Sequence, residues 1–171
     1  MKLMIIGYAR HGKDTVCKLL VDHFGLSFVS SSYFVAEKAV RPALAQNGLV
    51  YPDLQTCYDD RVNHRADWFN AIAEYNKDDP ARLGRELFAE YDIYCGNRNV
   101  FEFEAMKVEG AFDYAWWIDR SDLAPPEDKS SNTLLPEMAD RIINNNGDMA
   151  WLDLQVRRAY CEDLKKLHLG S

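Results

Sequence analysis

Short apolar runs alternate along this chain with segments whose apolar positions recur at helical spacing. Residues 3–6 (LMII) stop abruptly at Gly7, the pattern of a strand buried on both faces. Over 13–24, Val16, Leu19, Leu20 and either His23 or Phe24 share one helical face. Residues 26–29 read as a second strand. The serines Ser30, Ser31 and Ser32 then offer caps for a helix that starts near Phe34 and is expected to end before Pro42. From 43 to 80 the pattern is polar and broken by Gly48 and Pro52, with helices predicted over 54–62 and 65–75. So long a connection usually carries binding surface.

The second half repeats the alternation. A helix is predicted over 81–91 and a strand over 93–95, closed by Gly96, and Asn99 caps a helix over 101–110. Residues 114–118 (YAWWI) form an aromatic strand that puts Trp116 and Trp117 on opposite faces, where both serve packing. A polar stretch over 119–131 contains Pro125 and Pro126. A fifth strand over 140–143 ends in the turn-forming residues 144–147, and Leu152, Val156, Ala159 and Leu164 mark a terminal amphipathic helix. The alternation predicts a single α/β domain, a three-layer fold around a mainly parallel five-stranded sheet. Ligands of such sheets bind beyond the carboxyl ends of the strands. That rule gathers 7–15, 30–32, 96–98, 119–120 and 144–146 around one cleft.

The chemistry is concentrated in the first of these loops. Gly7-Tyr8-Ala9-Arg10-His11-Gly12-Lys13 matches G-x-x-x-x-G-K, between a strand and a helix, and Asp14 and Thr15 follow it. Glycines allow the tight turn, the amides of the loop and the helix start face an anion, and Lys13 reaches the β- and γ-phosphates. Asp14 stands where a serine or threonine is usual. Either its carboxylate meets magnesium, or Thr15 supplies the hydroxyl while Asp14 caps the helix; the expected metal site is the Asp14–Thr15 pair. Arg10 is read as a phosphate contact or the partner of an acidic neighbour, and His11 as a loop filler rather than a base.

Composition narrows the class. The net charge of −7 argues against polymeric nucleic acid, which needs a basic footprint, but not against a free nucleotide. Four scattered cysteines without C-x-x-C spacing read as reduced thiols, hence a cytoplasmic setting. No apolar run is long enough for a membrane span. Phosphoryl transfer calls for fixed positive charge rather than a triad, and arginine suits it. Arg98 follows a strand on the ligand rim, Arg120 opens the polar stretch as a lid residue, and Arg61 and Arg65, four apart, share a helical face that either grips an acceptor monophosphate or is plain solvated helix surface. Trp68, Phe69 and Tyr33 are either base-stacking aromatics or a small core for the inserted helices. Asp92 is either an orienter of metal-bound water or a solvated strand end. Asn144 and Asn145 belong to a turn whose amides can meet a donor adenine.

Taken together, MKLMIIGYARHGKDT, DIYCGNRNVFEFEAMK, WWIDR and ADRIINNNGDMAWL resemble the phage and bacterial deoxynucleoside monophosphate kinases of the adenylate-kinase-like P-loop group. The resemblance implies transfer of the ATP γ-phosphate to a (deoxy)nucleoside monophosphate, with Mg2+. It makes Lys13 the loop lysine, Arg98 a monophosphate contact and Arg120 a residue at the lid border, and it puts the 144–147 turn beside the donor base. Residues 30–80 then form the acceptor-binding insertion, including Ser31, Arg61, Arg65 and Trp68, and 119–135 form a short lid. That lid holds only Arg120 and Lys129 as basic residues, so Arg61, Arg65 or Arg141 is a further source of transfer charge. A kinase for another small metabolite, a non-catalytic ATP-dependent binding module and a homodimer all stay open.

Overall fold

The computed structural model describes residues 1–126 and 132–170. Five parallel strands, β1 (Leu3–Ile6), β2 (Phe28–Ser30), β3 (Ile93–Cys95), β4 (Tyr114–Asp119) and β5 (Arg141–Asn144), lie in the order β2-β3-β1-β4-β5. Register pairs Leu3 with Ile93 on one side and with Tyr114 on the other. Central β1 is wholly buried, which is why its sequence is uniformly apolar rather than alternating.

Side chains alternate between two cores. Leu3, Ile5, Ile93, Trp116, Ile118 and Ile143 pack against α1 (Lys13–Phe24) and α8 (Met149–Leu169), which supply Val16, Leu20, Leu152 and Val156. Met4, Ile6, Tyr94, Ala115 and Trp117 face the other layer. That layer consists of α2 (Ser31–Val35), α3 (Arg41–Gln46), α4 (Leu54–Asp59), α5 (Arg65–Tyr75), α6 (Arg82–Glu90) and α7 (Val100–Val108). The three-layer α/β expectation holds, and the two tryptophans do separate across the sheet.

The expected stop before Pro42 does not occur. Residues 36–40 form a π-helical turn between α2 and α3, and the Arg41 N–H reaches back five residues to the Ala36 carbonyl. Pro42 then falls in the first turn of α3, where no amide donor is needed, so the path continues to Gln46. Nor do the serines cap α2 through their side chains: Ser30 takes the N-cap position without a side-chain bond. Among the described residues no helix is long and apolar enough to cross a membrane.

Candidate active site

The loop after β1 takes its shape from backbone that ordinary residues resist. Gly7 has φ of 142°, and a Cβ there would lie 2.6 Å from the Ile118 carbonyl oxygen. Gly12 has φ of 91°, and a Cβ there would lie 2.2 Å from Asn145 Nδ2. Between them Arg10 holds a left-handed φ of 64° with its side chain exposed, local strain of the kind that collects at functional loops. Helix α1 starts directly after Gly12 with no side-chain cap, whereas Asp53, Asn99 and Asp148 cap α4, α7 and α8. The first-turn amides of α1 are therefore left to an anion, on the positive end of the helix dipole.

Neighbouring side chains clamp this loop. Tyr8 packs edge-on against Trp117, with ring centroids 5.0 Å apart, and against His11 at 5.4 Å. His11 is fully buried; Nδ1 accepts the Arg120 N–H at 3.0 Å, which leaves Nε2–H to donate to the Ala124 carbonyl at 3.1 Å. It is a tether between the loop and the segment that follows β4. Asn145 donates from Nδ2 to the His11 carbonyl at 2.9 Å and from its backbone to Asp119 at 2.7 Å. Asn144 accepts from the Asn146 amide through Oδ1 at 2.9 Å. The Asn145 side chain thus holds the loop, whereas that of Asn144 holds its own turn.

Lys13 Nζ donates to the carbonyls of Gly7 and Tyr8 at 2.9 and 2.7 Å, so its ammonium lies back over the loop. Asp14 is exposed in the first turn of α1, with Oδ1 accepting from Cys95 Sγ at 3.5 Å, and Thr15 beside it is half-buried. A carboxylate and a hydroxyl next to a phosphate loop fit magnesium, which takes one or two protein oxygens and completes its shell with phosphate and water. Ala9 completes the loop, half-buried between Tyr8 and Arg10.

A cavity of about 360 Å³ opens beside the loop, lined by Ser31, Ser32 and Val35 of α2, Phe69, Ile72 and Ala73 of α5, and Leu83 of α6. Tyr94, residues 96–99, Phe101, Glu102 and Thr133 complete it. Phe69 and Phe101 are strongly exposed aromatics on its lining. Arg98 sits exposed on this lining, its carbonyl accepting from the Thr133 amide at 3.0 Å. The lining residue Gly96 donates its N–H to the Ile5 carbonyl of β1 (3.0 Å), and Asn132, next to the lining residue Thr133, donates Nδ2 to the Gly7 carbonyl of the loop (3.4 Å).

Glu102 and Tyr94 carry the cavity's perturbed ionisations. Burial raises the Glu102 carboxyl above the ordinary glutamate value, while amide donors from Asn76 (2.9 Å) and Asn97 (3.1 Å) work against the shift. Burial likewise raises Tyr94. Cys17, beneath the loop, is raised by burial and by its neighbour Cys95.

Of the other expected residues, Ser31 and Arg98 line the cavity, and Arg61, Arg65 and Trp68 do not. Arg61 lies in a 3₁₀ turn (Asp60–Val62), stacked 4.0 Å over Tyr58, while Arg65 opens α5. The break at Asn63 and His64 puts them on different elements, which the four-residue spacing did not foresee. Trp68 is buried in the core and Tyr33 meets the Tyr58 ring, so Phe69 is the one of the three aromatics on the cavity. Arg120 stands half-buried directly after β4, its Nε buried without a partner among the described residues. Lys129 lies outside the described residues. Arg141 is paired with Asp163 and Glu162 at the opposite, amino end of the sheet, and Asp92, also at that end, bonds Ser27 and Lys2. Neither is on the ligand rim. Asn97, Glu102, Phe101, Asn132 and Thr133 were missed as site residues; the proximity of the first three to Arg98 was the available signal.

The sheet order and the loop define a three-layer α/β architecture with a G-x-x-x-x-G-K turn between β1 and α1. The chain is similar in structure to a gluconokinase from Sinorhizobium meliloti 1021, with a TM-score of 0.55 and 12% identity over 99% of this chain and 97% of that one. It is also similar to the shikimate kinase of Aquifex aeolicus, with a TM-score of 0.52 and 16% identity over the full length of both. At these identities the likeness establishes the fold. No protein-family model and no curated protein sequence matches the chain. These comparisons do not confirm the nucleoside monophosphate kinase resemblance; what the two neighbours share with this chain is the fold.

Proposed function

We propose that this chain is an ATP-dependent kinase that phosphorylates a small acceptor in the cavity, a (deoxy)nucleoside monophosphate. The observation that carries the proposal is the junction of an uncapped, glycine-shaped phosphate loop with a ligand-sized cavity through Gly96 and Asn132. In the reaction an acceptor phosphate oxygen attacks the γ-phosphorus, the bond to the β-phosphoryl oxygen breaks, and ADP leaves. Loop amides and Lys13 offset the charge on the donor phosphates, Arg98 binds the acceptor phosphate, and Arg120 adds charge from the lid side. Magnesium held by Asp14 and Thr15 would neutralise part of the triphosphate charge.

The acceptor assignment rests on the cavity lining. Phe69, Phe101, Val35, Ile72 and Leu83 form apolar and aromatic walls suited to a flat heterocycle, and Arg98 supplies one anion contact. The two structural neighbours, named as a gluconokinase and a shikimate kinase, support a second reading in which the acceptor is a different small metabolite. Coupled ADP release, measured with each monophosphate and then with gluconate and shikimate, decides between them. The first reading expects turnover only with a monophosphate; turnover with gluconate or shikimate alone would replace it with the second.

A further inference from the structure

Three consecutive residues touch both the phosphate loop and the cavity rim. Asn132, 3% exposed, spends its Oδ1 on the Leu134 amide (3.0 Å), a turn closed within the segment itself. That bond fixes which end of the amide is oxygen and leaves Nδ2 for the Gly7 carbonyl (3.4 Å). Thr133 donates to the Arg98 carbonyl from its amide (3.0 Å) and from Oγ1 (3.2 Å), and Oγ1 also accepts the Val100 amide (2.9 Å). Leu134, fully buried in the core that holds Trp117, anchors the segment. One step of chain therefore separates the partner of the loop from the partner of the rim. The sheet fixes the rim only as far as Gly96, whose N–H still bonds Ile5.

We propose that Asn132 and Thr133 are positioning residues that tie the cavity rim to the phosphate loop, so that the acceptor group and the transferred phosphoryl meet in line. This goes beyond the proposed function and rests on it. Each residue acts through a backbone it holds, Gly7 in the loop and Arg98 on the rim, rather than through contact with a reacting atom. Gly7 is buried, and its carbonyl also takes Lys13 Nζ at 2.9 Å. An ammonium that turns from there to a phosphate leaves that carbonyl to Asn132, which keeps a buried acceptor paired. Thr133 is exposed, so water can replace its bonds but cannot hold Arg98 in place. Its hydroxyl uses both donor and acceptor capacity, and valine, of nearly the same shape, supplies neither. Such a tie works in series: cutting either end releases the rim from the loop, and cutting the second adds little. Misplacing reacting groups by about 1 Å costs on the order of 10²-fold in rate without removing the contacts that bind either ligand.

The test uses the full chain, saturating ATP, and whichever of the monophosphates, gluconate or shikimate gives wild type its highest turnover. Thr133→Val cuts the rim end. Asn132→Ser cuts the loop end, because a serine hydroxyl still accepts the Leu134 amide but is too short to reach Gly7. Each variant should lower kcat about 10–100-fold, while calorimetric Kd values for ATP and for the acceptor each stay within about threefold of wild type. Thr133→Ser keeps the hydroxyl and should return kcat to within about threefold of wild type. The double variant should be no more than about threefold slower than the slower single one, the mark of residues acting as a unit. Unchanged kcat in either single variant, a loss carried wholly by Kd, Thr133→Ser as slow as Thr133→Val, or losses that multiply in the double variant would each overturn the inference and leave the kinase reading standing. Wild type without turnover on any of these acceptors overturns both. If Asn132→Ser does not fold, the comparison of Thr133→Val with Thr133→Ser decides.

Discussion

Trp116 and Trp117 are adjacent in sequence, both buried, and belong to two very different halves of the molecule. Trp116 faces α1 and α8, where its Nε1 donates to Asp163 Oδ2 at 2.9 Å and Arg141 closes an ion pair on the same carboxylate. Trp117 faces the inserted helices and braces Tyr8 of the phosphate loop. The first half is packed by two helices, α1 and the 21-residue α8, laid along the sheet. The second is made of short helices, a π-helical turn and a cavity of about 360 Å³. Close packing stabilises the first side, and forgone packing leaves room for a ligand on the second.

The contrast can be broken most severely from the first side. Arg141→Ala leaves Asp163, with 3% of its side chain exposed, as a buried charge without its main cation. Loss of about 3–5 kcal/mol is expected, read as a lower denaturant midpoint with an unchanged slope. Nucleotide affinity of the folded fraction should persist; a midpoint within experimental scatter of wild type would remove the ion pair from the account. Lys13→Ala should do the reverse, cutting kcat on the order of 10²–10³-fold while the midpoint stays in place. Retained turnover would show that the loop lysine, despite its position over Gly7 and Tyr8, carries no transferring charge.

Smaller effects sharpen the boundary between the halves. Asn145→Ala removes the bond to the His11 carbonyl and should cost about 1 kcal/mol. The same change should weaken ATP binding measurably, since it loosens the loop as well as the fold; equal ATP affinity would confine Asn145 to packing. The smallest expected signal is the pH dependence of Glu102. Its folded pKa is raised, so its stability contribution is full below the ordinary glutamate value and is lost as pH rises through the folded pKa. The melting temperature of wild type minus that of Glu102→Gln should therefore grow as pH falls through that window. A flat difference would mean that burial does not perturb the carboxyl.

The sequence by itself determined the elements that are local and contiguous. Strand β1, helix α1 and the glycine-framed loop between them lie within 24 residues, and their pattern states a buried strand, a turn and an amphipathic helix in succession. Asn99 could be read as a cap for the same reason, since its Oδ1 meets amides two and three residues ahead. Pro42 misled because its missing amide halts a helix only where an amide is needed, and the π-helical turn moved it to a place where none is.

Only the tertiary structure decided which residues surround the cavity. Ser31, Phe69, Leu83, Asn97, Glu102 and Thr133 come from separate segments, and their convergence depends on how short helices cross the sheet rather than on spacing. Arg61 and Arg65 make the same point in reverse: four residues apart, they are divided by a turn whose local signal is weak. Hydrogen bonds within a turn of chain leave their mark in neighbouring letters, whereas a cavity is a property of the space between elements and is written in no single stretch.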